Sequence, residues 1–258
     1  MSLRTLQIAN IVGFVLVIVM NYLAVNLPIN GYTTGELSDL YPNLFVPAGF
    51  TFSIWGVIYL LLIIFIVYHI RNWWSKDQLD MSFVERIGPM FFVSCLANAS
   101  WIIAWHYVQP TLALAIMLTI LSSLLSIYRR LDIGKSDNNS FSFWAVKLPF
   151  SVYLGWITVA TIANVTTVFV HLGWDGGAFG EVNWTITMIT VATIIGAFIL
   201  FDRRDIGYAA VLVWAFFGIY SKQQVATPTN SIPMAALVAI GVLVAVAIAT
   251  RLQKSNPA

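Results

Sequence analysis

Phe52, Trp55 and Tyr59 fall at i, i+3 and i+7, which on a helix turning about 100° per residue sets three rings within about 60° of one another. Asn98, Trp101 and Trp105 repeat that spacing, with Ser94 on the same stripe. A third set, Tyr153, Trp156, Ala160 and Asn164, follows it again. Broad π faces beside a few amides and hydroxyls suit noncovalent capture of a flat apolar molecule, the polar atoms fixing its orientation. Helix-on-helix packing would satisfy any one of these residues as well. Three stretches with the same pattern favour a shared pocket.

Residues for bond-breaking chemistry are not arranged for it. There is no serine, histidine and acid set at one depth, no Gly-rich phosphate loop and no pair of intramembrane carboxylates. Cys95 is the one cysteine and lies in an apolar run, so a single chain assembles neither a disulfide nor a thiolate metal site. His106 and His171 sit near the outer ends of apolar segments and His69 near an inner end, where an interfacial role outweighs metal or haem ligation. The sequence therefore predicts no catalytic residue, no metal site and no required cofactor.

The elements that carry these residues follow from composition. Of 258 residues 59% are apolar and only 9% are charged, against roughly 25% charged in an average soluble domain. A helix crossing a bilayer needs about 20 mostly apolar residues. Eight segments meet or approach this: Leu6 to Val25, Ala48 to Ile70, Ile87 to Tyr107, Thr111 to Tyr128, Lys147 to His171, Trp184 to Phe201, a short one from Gly207 to Tyr220, and Pro233 to Thr250. No acid or base falls near the middle of any of them, which disfavours ion pumping. The first segment, behind Arg4, lacks a small-residue cleavage site and reads as a retained span. The prediction is an all-α, polytopic membrane helical bundle of about eight transmembrane helices.

Lysine and arginine orient it. Arg4, Arg71, Lys76, Arg86, Arg129, Arg130, Lys135, Lys147, Arg203, Arg204, Arg251 and Lys254 all fall on one side, twelve of the thirteen bases; Lys222 alone falls on the other. Cytoplasmic loops keep such an excess, so both termini are expected in the cytoplasm, with a bacterial inner or plasma membrane as the home. Neither the net charge of +2 nor any basic stripe suits nucleic acid. No internal repeat stands out. The longest outer connection, Asn26 to Pro47, holds Pro28, Gly31, Gly35, Pro42 and Pro47 and is long enough to fold as a lid over the bundle mouth. Trp73, Trp74, Trp144, Trp174 and Trp184 suit the membrane interfaces, whereas Trp55, Trp101, Trp156 and Trp214 lie deeper and are expected to face protein.

Three stretches resemble one family. Pro47-Ala-Gly-Phe-Thr-Phe-Ser-Ile-Trp55-Gly-Val-Ile-Tyr59 is similar to the Pro-rich lead-in and Trp-Gly-x-x-Tyr of the second helix of tryptophan-rich sensory or translocator proteins (TspO/MBR). Leu96-Ala-Asn98-Ala-Ser-Trp101, followed by Trp105 and His106, resembles the third-helix motif, and Tyr153-Leu-Gly-Trp156 with Asn164 the fifth. Where the family usually has a tryptophan soon after the prolines, this chain reads Gly49-Phe50.

The resemblance covers roughly Leu6 to Val170 and implies a five-helix membrane domain over 1–172, with three additional transmembrane helices over 173–258. It also implies a pocket beneath the first outer loop for a porphyrin or similar flat ligand. Phe50, Phe52, Trp55, Tyr59, Asn98, Trp101, Trp105, Tyr153, Trp156 and Asn164 would line or support that pocket. The expected partners are the lipid bilayer and a small apolar ligand, with a tetrapyrrole as the bound group. Many members are dimers; the extra helices would cover the dimer surface and favour a monomer. Binding or sensing ranks first, transport of a small amphipathic solute second, on the short Gly207 to Gly218 region with Pro228 and Pro233. Light- or oxygen-dependent porphyrin degradation ranks third, because no acid or base accompanies the tryptophans.

Overall fold

The computed structural model describes residues 1–27, 29–77, 79–135, 141–226 and 231–255, with side chains as far as Leu252. Pro28, Pro228 and the side chain of Lys254 lie outside the described residues. Every described element is helical: α1 (Leu3–Asn26), α2 (Thr34–Asp39), α3 (Ile54–His69), α4 (Ser82–Ile87), α5 (Met90–His106), α6 (Pro110–Arg130), α7 (Leu148–His171), α8 (Glu181–Arg203), α9 (Ile206–Ala226) and α10 (Ile232–Ser255).

Among the described residues six runs are long and apolar enough to cross a membrane: Leu3–Asn26, Gly49–Trp73, Pro110–Arg130, Phe143–His171, Glu181–Arg203 and Ile232–Leu252. The other two long helices are α5, an apolar helix of 17 residues, and α9, which runs 21 residues instead of ending at Tyr220. In α9 the apolar run stops at Tyr220, but Ser221, Lys222, Gln223 and Gln224 keep the helical backbone going into the polar layer.

Local sequence explains the helix ends. Ser2 caps α1 by accepting the Thr5 N–H at 3.2 Å. Gly88, at φ +58°, and Pro89 separate α4 from α5, where the sequence suggested one segment from Ile87. Pro149 cannot donate a backbone hydrogen bond to the preceding turn, and the chain before it, Phe143–Lys147, widens into a π turn that leads directly into α7.

Neighbouring helices run α1 to α3, α3 to α7, α7 to α6, α6 to α5 and α5 back to α1, closing a five-membered ring. A second group, α8 with α9 and α10, joins the ring chiefly through α9 on α7. Gly155 makes that approach close: a Cβ there would stand 3.0 Å from the Tyr208 carbonyl. Being flanked on several sides, α7 has 72% of its apolar window buried, against 22% for the peripheral run through α3. One apolar core extends through both groups, from Phe14 and Phe65 to Leu212 and Leu243.

The end carrying the arginine and lysine clusters is held by Asp205. Its buried carboxylate accepts from the Ser151 hydroxyl at 2.6 Å and the Tyr128 hydroxyl at 2.9 Å, and caps α9 by accepting the Tyr208 N–H at 3.2 Å. The opposite end, called outer below, is covered by residues 29–48.

Candidate functional site

Three helices bring their aromatic and amide faces together. The Trp55 ring stacks on Tyr59 at 5.5 Å and meets Tyr153 and Trp156 edge-on at 5.9 and 6.3 Å, so α3 and α7 share one aromatic surface. Phe52 adds an edge contact to Trp156 at 5.8 Å. From α5, the Asn98 amide donates to the Tyr153 hydroxyl at 3.2 Å, while its oxygen accepts from Asn21 of α1 at 2.9 Å. The Trp101 indole N–H donates to the Asn164 oxygen at 3.1 Å, joining α5 to α7 a turn further out.

Exposure divides the set. Asn98, Trp105, Tyr153, Trp156 and Asn164 are buried; Trp55, Tyr59 and Trp101 are half-buried; Phe52 is 41% exposed. Phe52 and Trp55 thus remain partly exposed beside the buried Tyr153 and Trp156. The Tyr59 hydroxyl is buried and has no hydrogen-bond partner among the described residues. Below this level Phe65, Phe91 and Phe150 close the ring interior, with centroids 4.9 to 5.6 Å apart.

Two predicted residues turn elsewhere. Phe50 packs on Trp214 and Phe217 of α9, at 5.5 and 5.9 Å. Gly49–Ser53 is a 3₁₀ turn of about three residues per turn, which rotates Phe50 away from Phe52 and toward α9. Trp105 stacks on Trp101 at 5.4 Å but serves the outer cover: its N–H donates to the Thr34 carbonyl at 3.3 Å, and with Tyr41 and the fully buried Leu37 it forms a separate small core.

The cover is fastened at several points. Buried His106 has one ring nitrogen 3.0 Å from the Thr34 hydroxyl and the other 3.1 Å from the Ile29 carbonyl, while its own carbonyl accepts from Asn30. Gln223 of α9 donates to the Leu44 carbonyl at 2.9 Å, and the Ala48 N–H to the Gly218 carbonyl at 3.1 Å. Within α2, the Thr33 N–H and hydroxyl both donate to Glu36, at 2.7 and 2.9 Å, and hold its carboxyl below the usual carboxylate range.

A recess of about 280 Å³ opens between this cover and the outer ends of α8 and α9, lined by Asp39, Tyr41, Leu44, Glu181 and Lys222 among others. A smaller one beside it reaches Trp174 and Trp184. None of the ten predicted residues lines either recess. Asn21 and His106 are contributors that the aromatic spacing did not single out; Asn21 is the one amide between Asn10 and Asn26 in the apolar stretch of α1. Among the described residues, no group of three or more histidine, cysteine or acidic side chains could hold a metal ion.

A ring of five apolar helices, with indole and amide contacts joining α3, α5 and α7, extended by three more helices, defines a polytopic membrane protein. The model of the TSPO-like protein family matches residues 7–249, nearly the whole chain, and the chain belongs to that family as an integral membrane protein. The match runs through α8, α9 and most of α10 as well as the five-helix ring. Comparison with curated proteins and with solved structures returned no match.

Proposed function

We propose that this TSPO-like protein binds a flat apolar ligand of the tetrapyrrole type on the aromatic surface shared by α3 and α7. The observation that carries the reading is Trp55, half-buried, stacked on Tyr59 and edge-on to both Tyr153 and Trp156. A macrocycle stacks on such a face, and the Tyr59 hydroxyl beneath it is a buried polar group without a partner among the described residues. The Asn21, Asn98 and Tyr153 chain fixes the floor, so little order is lost when the ligand arrives. With both termini on the basic side, taken as cytoplasmic, the site lies in the outer half of the bilayer.

Titration of detergent-solubilised protein with protoporphyrin, followed by tryptophan fluorescence, tests this. Saturable quenching is expected, weakened about tenfold or more in Trp55→Leu, where one aromatic contact of roughly 1–3 kcal/mol is lost. Trp144→Phe, at an exposed interfacial position, should leave the curve unchanged. Quenching without saturation, or equal in the two variants, would count against the proposal.

A further inference from the structure

We infer that the recess between the outer cover and the ends of α8 and α9 is a second binding site, for a small zwitterion: a solute or headgroup bearing an ammonium and a carboxylate or phosphate on a short spacer. Its size of about 280 Å³ lies below the roughly 300–1,000 Å³ of pockets for drug-sized ligands, so it suits a molecule much smaller than a macrocycle. It shares no residue with the aromatic surface of α3 and α7, and the inference stands independently of the tetrapyrrole reading.

Charge defines the class of ligand. Lys222, the single base that the sequence assigns to the outer side, lines the recess half-buried and forms no ion pair among the described residues. A half-buried lysine that forms no ion pair attracts an anionic group. Two carboxylates line the same recess, Asp39 at the end of α2 and Glu181 at the start of α8, and they suit an ammonium. Leu44 and Val46 supply apolar wall for a spacer.

Two further observations point to an occupant. Tyr41 lines the recess at 8% exposure, and its buried hydroxyl lacks a partner among the described residues, a state that native proteins seldom leave unfilled. The wall is also pre-formed: the Asn43 side chain accepts the N–H groups of Phe45 and Val46, each at 3.2 Å, and Leu44 is held by Gln223. A site held open by its own hydrogen bonds binds with little ordering cost.

Calorimetry on the full chain in lipid nanodiscs tests the inference, with γ-aminobutyrate and O-phosphoethanolamine as probes and butyrate and butylamine as singly charged controls. At least one zwitterion should bind saturably, about tenfold or more tighter than either control, because each charge-assisted contact contributes about that factor. Lys222→Met and Glu181→Gln should each weaken it about tenfold, while protoporphyrin quenching stays as in the parent protein. Discs of phosphatidylethanolamine compared with discs of phosphatidylglycerol identify the source. Probe binding suppressed only in the former marks a lipid headgroup as the occupant, and equal binding in both marks a soluble solute. If either variant has a lowered melting temperature, Lys222→Gln and Asp39→Asn replace it. No saturable zwitterion binding in either disc, or undiminished binding in the charge variants, would overturn the inference.

Discussion

Asn98 works in two directions at once, accepting from Asn21 and donating to Tyr153 while almost fully buried. Removing its amide leaves the buried Tyr153 hydroxyl without its Asn98 donor and takes one of two acceptors from the half-buried Asn21, so Asn98→Ala should cost about 1–3 kcal/mol, more than Asn21→Ala, in reversible unfolding from mixed micelles. A double-mutant cycle of Asn98→Ala with Tyr153→Phe should give a coupling of roughly 0.6–1.7 kcal/mol, the range met for hydrogen bonds between membrane helices. Coupling near zero would mean that the pair is not bonded in the bilayer. The three i, i+3, i+7 stripes made Asn98 and its aromatic neighbours readable in the sequence, because helical period alone puts them on one face. Asn21 was not readable that way: it has no aromatic stripe of its own, and only the packing of α1 on α5 brings it to Asn98.

At the level of elements, α9 and the outer cover depend on close contact. A Cβ on Gly218 would clash with the Thr51 hydroxyl oxygen and stand 3.0 Å from Pro47. Gly218→Ala should therefore destabilise by about 1–3 kcal/mol through overpacking and loosen residues 47–53 from α9, seen as faster hydrogen exchange there. An unchanged exchange pattern would show that the helix shifts freely. His106→Ala removes both ring contacts to the cover, so exchange should rise over residues 29–41 while α5 stays protected.

The Glu36 capping box adds a pH dependence. Its carboxyl is held below the usual range in the folded state, so its contribution to α2 is complete above the unfolded carboxylate range and is lost as pH falls through the folded value. The Thr33 amide resonance should titrate in that acidic window and stop doing so in Glu36→Gln. The long lid-length loop was legible from its length and prolines, but its fastenings were not, since they join residues more than seventy positions apart. The extent of α9 was hidden for a different reason: apolar patterning marks where a helix meets lipid, not where its backbone hydrogen bonds end.

For the whole molecule, the ring order α1, α3, α7, α6, α5 and the packing of α9 on α7 make the last three helices part of the protein's main apolar core. A chain ended after Leu172 would leave the α9-facing side of α7, around Ser151, Gly155 and Thr158, against lipid. It is expected to elute as aggregate or dimer in size-exclusion chromatography, and the full chain is expected to elute as a monomer; a monodisperse five-helix monomer would contradict this. The membrane character and helical class were legible from composition, because lipid as a solvent leaves little choice beyond apolar helices with internal hydrogen bonds. The recess beside Lys222 was not, because its walls come from α2, the loop after it, α8 and α9.

The proposed ligand meets the face that α3 and α7 share. A density map of the protein saturated with protoporphyrin tests this most directly. It should contain a planar feature against the Trp55 ring, within reach of Phe52 and the Tyr59 hydroxyl. Planar density confined to the outer recess, or to the lipid side of α8 and α10, with the Trp55 face bare, would contradict it.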